Sequence, residues 1–361
     1  MAPILSPSNR VRKDKALIGK SLQKHLQLYF TIHVNLPPHI CWDTSYGCTS
    51  QRIRLPLGEI LSRRWSILTG SLVFEFFRRI ATPGLDRVVK IITDLGSISF
   101  YMIAIPIIYW CIDKSVGFNL GMVTSISSCI NVGLKFVFKV PRPYVAYPHL
   151  DAPNFLLDTG TGWSFPSGHA QGTSTFWAYS AWHVKRAWFT ALSVIVVAVV
   201  GLTRIYATVH YPKDVLVGTA LGLIIVQVYM LVEESLANRE KKTSVNTAVA
   251  ASIVIPGVIF ALSSLSFELA RESASLLGFT MGLGVGYALE KEYVKYDVRA
   301  SFFIQVIKVV FGLAVLMGIR YGLKAILPEG SFWQMLRYAV MALWGTYGAP
   351  LVFKAMFSKE A

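Results

Sequence analysis

The stretch "WSFPSGHAQG", Trp163–Gly172, stands at the leading edge of an apolar run. Pro166 suits the first turn of a helix, and Gly168 permits a close backbone approach to a ligand. The N–H groups around Ser167, Gly168 and His169 would then lack helical acceptors. The helix dipole would favour an anion in front of them. His169 is placed to give or take a proton. A helix cap followed by an incidental histidine accounts for the same ten residues equally well.

The setting of that run is apolar throughout. Of 361 residues, 53% are hydrophobic and only 15% charged, against about 25% charged in a typical soluble domain. Apolar runs of about 17–25 residues recur, the length that crosses a bilayer's hydrocarbon core. The alternation of a lipid-facing barrel is absent. The fold class expected is therefore all-α, a polytopic membrane bundle. The net charge of +15 needs no nucleic acid as a partner, because Lys and Arg collect in cytoplasmic loops of membrane proteins. The four cysteines, Cys41, Cys48, Cys111 and Cys129, form no C-x-x-C pair. Cys111 and Cys129 fall in apolar segments and read as packed thiols. Cys41 and Cys48 are free to bridge in an oxidising compartment, but nothing demands it.

Residues 1–60 differ in kind. Ten Lys and Arg against three acids lie in residues 1–65, without a long apolar run. The segment reads as a basic, disordered N-terminal extension and not as a signal peptide, since no apolar core follows its basic start. Ser66 to Phe77 is apolar but short and contains Glu75, which suits an interfacial or re-entrant helix. Nine spans are expected after it, near 97–112, 116–138, 168–184, 187–207, 214–233, 246–266, 273–290, 301–323 and 333–354. Residues 139–167 form a long polar loop.

Two further polar clusters accompany the opening stretch. In "KFVFKVPRP", Lys135 lies near a helix end and Arg142 follows after six residues, with Pro141 and Pro143 turning the chain. Taken alone, Lys135 and Arg142 read as side chains snorkelling to headgroups. In "TRIYATVHYPKDV", Arg204 ends an apolar helix, His210 follows after five residues and Asp214 after three more. An Asp one turn beyond a His can accept its ring N–H and leave the other nitrogen as a nucleophile. As a lone pair, such residues are usually structural.

Threading the chain up and down through the spans puts all three clusters on one membrane face. Together they supply three cations, a helix N-terminus, two histidines and a carboxylate. That inventory suits phosphoryl transfer: cations neutralise the phosphate oxygens, one histidine attacks phosphorus, and the other protonates the leaving oxygen.

The ordered blocks Lys135…Arg142-Pro143, Pro166-Ser167-Gly168-His169 and Thr203-Arg204…His210…Asp214 resemble the type-2 phosphatidic acid phosphatase superfamily, over roughly residues 85–235. Thr203 departs from the pattern, which has Ser there, but keeps the hydroxyl. The resemblance implies a six-helix phosphatase core within residues 61–240 and additional C-terminal transmembrane helices in 241–361. The latter would pack beside a lipid entrance or at a dimer contact. It implies an integral membrane phosphatase for phosphomonoesters or diphosphates of a lipid, working through a phosphohistidine without cofactor or metal. His210 would be the nucleophile, Asp214 its orienting partner and His169 the general acid. Lys135, Arg142, Ser167, Gly168, Arg204 and Thr203 would hold phosphate. Partners would be membrane lipid and the phosphorylated substrate, with a homodimer left open. The alternatives are a sugar-phosphate phosphatase of the glucose-6-phosphatase type and a non-catalytic lipid-phosphate binder or transporter.

Sidedness follows from loop charge. The face opposite the clusters carries Lys114, Lys185, Arg186, Arg239, Lys241, Lys242, Lys291, Lys295, Arg299 and Lys359. The cluster face carries Lys139, Lys213, Arg271 and Lys324 besides the site cations. The first face is expected to be cytoplasmic, so the active site would open to the exterior or an organelle lumen.

Overall fold

The structure is a computed structural model that describes residues 71–147, 157, 159, 160, 162–237 and 244–357. The expectations for residues 1–60 and for Cys41 and Cys48 lie outside the described residues. Among the described residues the chain is helical, with no strand.

Helix α1, Ser71–Ile80, has ten residues and spans about 15 Å, half the hydrocarbon thickness. The expectation for Ser66–Phe77 falls partly outside the described residues. Phe74 of α1 is fully buried among Val140, Ala170, Ile205, Tyr211 and Val215, so the helix braces the site end of the bundle. Helix α2, Pro83–Asp94, starts on a Thr82 cap with Pro83 in its first turn. Helix α3, Ile98–Cys111, restarts on a Ser97 cap. The two are bent by 46° at the intervening residues. Helix α4, Lys114–Phe138, opens on Asp113, whose carboxylate accepts the Val116 N–H, and ends at Lys139 in the left-handed region (φ 46°). A single turn, Pro143–Ala146, follows. Next come α5 (Gly168–Val184), α6 (Ala187–Tyr206) and α7 (Pro212–Ala237). The C-terminal set is α8 (Val245–Ser263), α9 (Phe267–Leu289), α10 (Phe302–Ile326), α11 (Ser331–Leu343) and α12 (Ala349–Phe357).

Every one of the nine expected spans is a helix. Among the described residues, six helical segments are long and apolar enough to cross a membrane, or seven if α2 and α3 are one bent span. Three of the nine fall short alone: α3 has 14 residues and α5 has 17, while α9 is long enough but fails on composition. The reason is placement. Helix α5 buries Gln171, Thr173, Ser174, Thr175 and Ser180, and α9 buries Ser273, Gly278, Gly282, Gly284 and Gly286. Both are interior helices, so polar and small residues replace the lipid-facing apolar ones. The chain is a multi-pass membrane protein.

Close backbone contacts hold these interior helices. A side chain on Gly278 or Gly282 of α9 would run into the Met335 or Ala339 carbonyl of α11, the small-xxx-small arrangement of membrane helices. On the core side, a β-carbon at Gly218 of α7 would lie 2.6 Å from the Ser167 carbonyl oxygen, and one at Gly222 would overlap Ser174 Oγ. These two glycines seat α7 directly on the first turns of α5.

The C-terminal set docks on the core through α4 and α9, which carry ion pairs at both ends of their contact. Lys139 Nζ lies 3.6 Å from Glu268 Oε2, and Lys114 Nζ 2.8 Å from Glu290 Oε1. The α11–α12 junction, Trp344–Gly348, is π-helical, which leaves carbonyls outside the regular α-helical ladder. Trp110 Nε1–H donates to Gly345 O at 2.6 Å and Tyr109 Oη–H to Thr346 O at 3.0 Å.

Candidate active site

The site is assembled where α4, α5, α6 and α7 end or begin. Helix α5 starts at Gly168 with Ser167 as its cap, the Ser167 Oγ accepting the Ala170 N–H. The Ser167 backbone N–H donates to Asp214 O at 3.0 Å, which ties the start of α5 to the start of α7. Gly168 is where the second cluster meets the first: a β-carbon there would lie 3.1 Å from Asn131 Oδ1 and 3.9 Å from Lys135 Nζ. Any side chain would therefore occupy the space in front of the lysine. Asn131 Nδ2–H donates to the Pro166 carbonyl (3.3 Å) and to Gln171 Oε1 (2.9 Å), holding this start in place from α4.

Arg142 is 3% exposed. Its Nε–H donates to Gly162 O (2.9 Å), and its Nη1 both donates to Val209 O (2.8 Å) and lies 3.1 Å from His210 Nε2. Arg204 is fully buried; Nη1 donates to Thr93 Oγ1 (2.6 Å) and Nη2 to Thr159 O (2.9 Å). Both guanidinium groups thus sit beside the His210 turn, held there by backbone carbonyls and, for Arg204, by the Thr93 hydroxyl.

His210 sits in the short turn between α6 and α7 and is buried. Burial holds its pKa well below the ordinary histidine value. The nearby positive charges of Arg142, Arg204 and Lys135, and then His169, push it the same way. The imidazole is thus neutral, with one nitrogen lone pair to offer. Its orientation differs from the simple His–Asp pair that the spacing suggests. His210 Nδ1 and Asp214 Oδ2 are 3.6 Å apart, beyond hydrogen-bond distance. Ser164 Oγ stands between them, 3.4 Å from Nδ1 and 2.5 Å from Oδ2. The physical reason lies in the start of α7. Pro212 opens the helix, and Asp214 Oδ2 reaches back to the Tyr211 N–H at 3.0 Å, a capping contact that turns the carboxylate away from the ring. With the Ser164 hydroxyl donating to Asp214, Nδ1–H donates to Ser164 and the Nε2 lone pair accepts from Arg142 Nη1.

His169 is half-buried in the first turn of α5. A β-carbon at Gly96 would lie 3.4 Å from its Cδ2 and 2.6 Å from Thr173 Oγ1, so the α2–α3 corner closes over this ring. Thr203 sits differently from the other phosphate candidates. It is 4% exposed, its hydroxyl donating to Val200 O (2.6 Å) and lying 3.1 Å from Thr93 Oγ1. It reaches the cluster through Thr93 and Arg204.

The structure therefore brings together Lys135, Arg142, Ser167, Gly168, His169, Arg204, His210 and Asp214, with Thr203 one residue removed. Sequence reasoning missed Ser164, Thr93, Asn131 and Gln171. Ser164 lies inside the quoted stretch, and its proximity to Pro166 was the one available signal. Gln171 also lies inside that stretch, two residues after His169, whereas Thr93 and Asn131 come from separate helices with no motif around them. Among the described residues, no three His, Cys, Asp or Glu side chains are grouped as a metal site.

Comparison with known proteins agrees with these blocks. The sequence model of the PAP2 superfamily matches residues 116–237, and that of "PAP2 superfamily phosphatase, transmembrane extension" matches residues 274–361. The chain is similar to a dihydrosphingosine 1-phosphate phosphatase of Schizosaccharomyces pombe, 27% identical over 229 residues, 59% of this chain and 51% of that one. It is similar to an undecaprenyl-diphosphatase of Sulfolobus acidocaldarius, 31% identical over 110 residues, 30% of this chain and 51% of that one. The chain spans about half the length of these curated relatives. A solved structure of a transmembrane PAP2 type phosphatidylglycerolphosphate phosphatase from Bacillus subtilis overlays with a TM-score of 0.39 at 23% identity, over 51% of this chain and 95% of that one. Between them the two sequence models cover more than half of the residues, including all four helices that build the site, and the chain belongs to the PAP2 superfamily.

Proposed function

We propose that this protein is a membrane phosphatase that releases phosphate from a phosphorylated lipid or polyprenyl chain through a phosphohistidine on His210. One observation carries the reading: a buried imidazole, linked to Asp214 through Ser164, has its Nε2 3.1 Å from Arg142 Nη1 and lies within the positive field of Arg142, Arg204 and Lys135. In the first step His210 Nε2 attacks phosphorus and the bond from phosphorus to the alkoxide or phosphate leaving oxygen breaks. His169 gives that oxygen its proton. The Nδ1–H bond to Ser164 stabilises the charge on the phosphorylated ring. In the second step water attacks phosphorus, His169 takes the water's proton, and the P–N bond breaks to release phosphate and restore His210. Lys135, Arg142, Arg204 and the N–H groups of α5 hold the phosphoryl oxygens. Three organic cations supply the charge that a metal would, so turnover is independent of divalent cations.

Three things support a lipid substrate. The site lies at the helix ends of a multi-pass bundle, where an amphiphile can present its headgroup. Within the bundle an apolar cavity lies between α3, α4, α9 and α11, lined by Ile98, Met102, Ile105, Leu276, Phe279 and Leu283. The named relatives carry sphingoid-base phosphate and polyprenyl diphosphate in their names. The deciding experiment assays purified protein against phosphorylated lipids, polyprenyl diphosphates and sugar phosphates in EDTA. Phosphate release from a lipid, abolished in His210→Ala, is expected. Release only from sugar phosphate, or release that needs added Mg²⁺, overturns the reading.

We also propose that the site opens away from the cytosol. The opposite face holds Lys114, Lys185, Arg186, Lys291, Lys295 and Arg299 among the described residues. Helices α1 and α2 weigh against this reading among the described residues, since they bring Arg78, Arg79, Arg87 and Lys90 to the site end beside Lys139, Lys213, Arg271 and Lys324; there Arg78 donates to the Tyr206 carbonyl and Tyr206 Oη–H to Asp86.

A further inference from the structure

At the end of the bundle away from His210 lies a second, differently built cavity. It is formed where α9 gives way to the loop of residues 295–301, against the start of α10 and α12. Four cations line it, Lys295, Arg299, Lys308 and Lys354, and one carboxylate, Asp297. Lys295, Arg299 and Lys354 are exposed, as expected of basic residues at a cytoplasmic membrane boundary. Lys308 is not. It is 1% exposed on the second turn of α10, so it does not snorkel to water.

The Lys308 ammonium has two neutral partners. It donates to Tyr296 Oη at 2.5 Å and to Val298 O at 3.1 Å, and it lies 5.1 Å from the Tyr296 ring centre. Among the described residues no carboxylate lies within ion-pair distance of it. The nearby buried acid, Glu290, is engaged elsewhere, accepting from Lys114 Nζ (2.8 Å) and from the Tyr296 N–H (2.7 Å). The Asp297 carboxylate accepts the Arg299 N–H at 3.0 Å. An ammonium buried at a helix end without a counter-ion is costly unless a charged ligand completes it. Its third N–H is the natural donor to such a ligand, and the rim supplies three further cations.

We propose that this cavity is an anion site for a phosphate-bearing lipid headgroup in the leaflet opposite the active site, with Lys308 as its buried floor and Lys295, Arg299 and Lys354 as its rim. Basic pockets between transmembrane helices take phosphorylated headgroups in this way. Arg and Lys at the rim give charge-assisted bonds to phosphate oxygens. The site is separate from the phosphatase reading and does not depend on it.

The test uses full-length protein in nanodiscs of phosphatidylcholine, alone or with a polyphosphoinositide at a few mole per cent, and native mass spectrometry to count retained lipid. A parallel arm offers inorganic phosphate or a soluble inositol phosphate. Wild type is expected to retain the anionic lipid. Lys308→Met keeps the volume of the buried chain and should weaken retention roughly tenfold or more. Arg299→Gln should weaken it less. Lys291→Gln, on the same face but outside the cavity, and His210→Ala should bind as wild type. Capture of the soluble anion with the same Lys308 dependence would assign the site to free phosphate groups and overturn the lipid source. Equal retention by wild type and Lys308→Met overturns the site itself. If Lys308→Met is not folded, Lys295→Gln/Arg299→Gln in one chain replaces it, and undiminished retention there overturns the proposal equally.

Discussion

Ser164 donates its hydroxyl to Asp214 at 2.5 Å and stands 3.4 Å from His210 Nδ1, so the carboxylate acts on the imidazole through a serine. Ser164→Ala removes the intermediate acceptor and leaves Nδ1–H without a partner in a buried site. The loss of a hydrogen bond linked to a charged group should cost roughly 10- to 100-fold in kcat/KM. Ser164→Thr keeps the hydroxyl and should recover most of it. Steady-state kinetics of the two variants on one lipid phosphate check this, and full activity in Ser164→Ala would show that Asp214 orients the ring without it.

The neutrality of His210 has a signed pH dependence. Its folded pKa is held well below 6.5 by burial and by Arg142, Arg204 and Lys135, whereas in the unfolded chain it titrates near about 6.5. As pH falls through 6.5, the unfolded state takes up the proton first. His210 therefore lowers stability as pH falls from above 6.5 towards its folded value, and has no such effect above that window. Nitrogen-15 shifts of His210, assigned by their loss in His210→Gln, should stay those of a neutral ring with Nδ1–H down through pH 6.5. A midpoint at or above 6.5 would contradict the arrangement of cations around it.

The glycines of α7 are a packing requirement of the site. A methyl group at Gly222 meets Ser174 Oγ and the Gln171 carbonyl, and one at Gly218 meets the Ser167 carbonyl at 2.6 Å. Gly222→Ala should push α7 off α5 and cost about 1–3 kcal/mol through overpacking. It should also lower kcat more than a lipid-facing substitution such as Leu223→Ala, because Asp214 and Ser167 are joined across the same contact. Thermal unfolding in detergent together with kcat separates the two. Unchanged values for Gly222→Ala would mean that the helices have room to part.

Sidedness can be read with single cysteines in a chain whose Cys41, Cys48, Cys111 and Cys129 are replaced. Arg271→Cys lies at the site end and Lys291→Cys at the other, both exposed. In intact cells or sealed vesicles of native orientation, an impermeant maleimide should label the first from the non-cytosolic side and the second only after permeabilisation. The reverse pattern would place the site in the cytosol.

Much of this site was legible because its residues fall in three short blocks at helix ends. Proline and glycine punctuate the chain there, and charged residues stand out against apolar runs. Lys135, Arg142, Gly168, His169, Arg204 and His210 were readable for that reason. Ser164 was not, because the i, i+4 spacing of His210 and Asp214 suggests a direct bond. Only the capping geometry at Tyr211 shows that the carboxylate is turned aside. Thr93 and Asn131 were hidden for a different reason: each is a polar residue in a helix without a motif, and its role exists only once α2, α4 and α5 are packed; Gln171 stands inside the quoted stretch, but its partners Ser127 and Asn131 are in α4. Glu268 is similar. It accepts from Trp163 Nε1 at 2.5 Å and pairs with Lys139, so a residue more than a hundred positions away steadies the loop that carries Ser164. Helix positions were legible from apolarity. Which helices are interior was not, since a short or polar span looks the same as a weak one until its neighbours are known.

The interior character of α5 bears on how the protein is made. With 17 residues and a face of Gln171, Thr173, Ser174 and Thr175, α5 partitions poorly into lipid by itself. Its polar side chains find partners in α4 and in its own carbonyls; Gln171 donates to the Ser127 carbonyl and accepts from Asn131. Entry of α5 into the bilayer is thus tied to the arrival of strongly apolar α6 and α7, and the turn at Ser167 and Gly168 is completed only when that helical hairpin closes on it during synthesis.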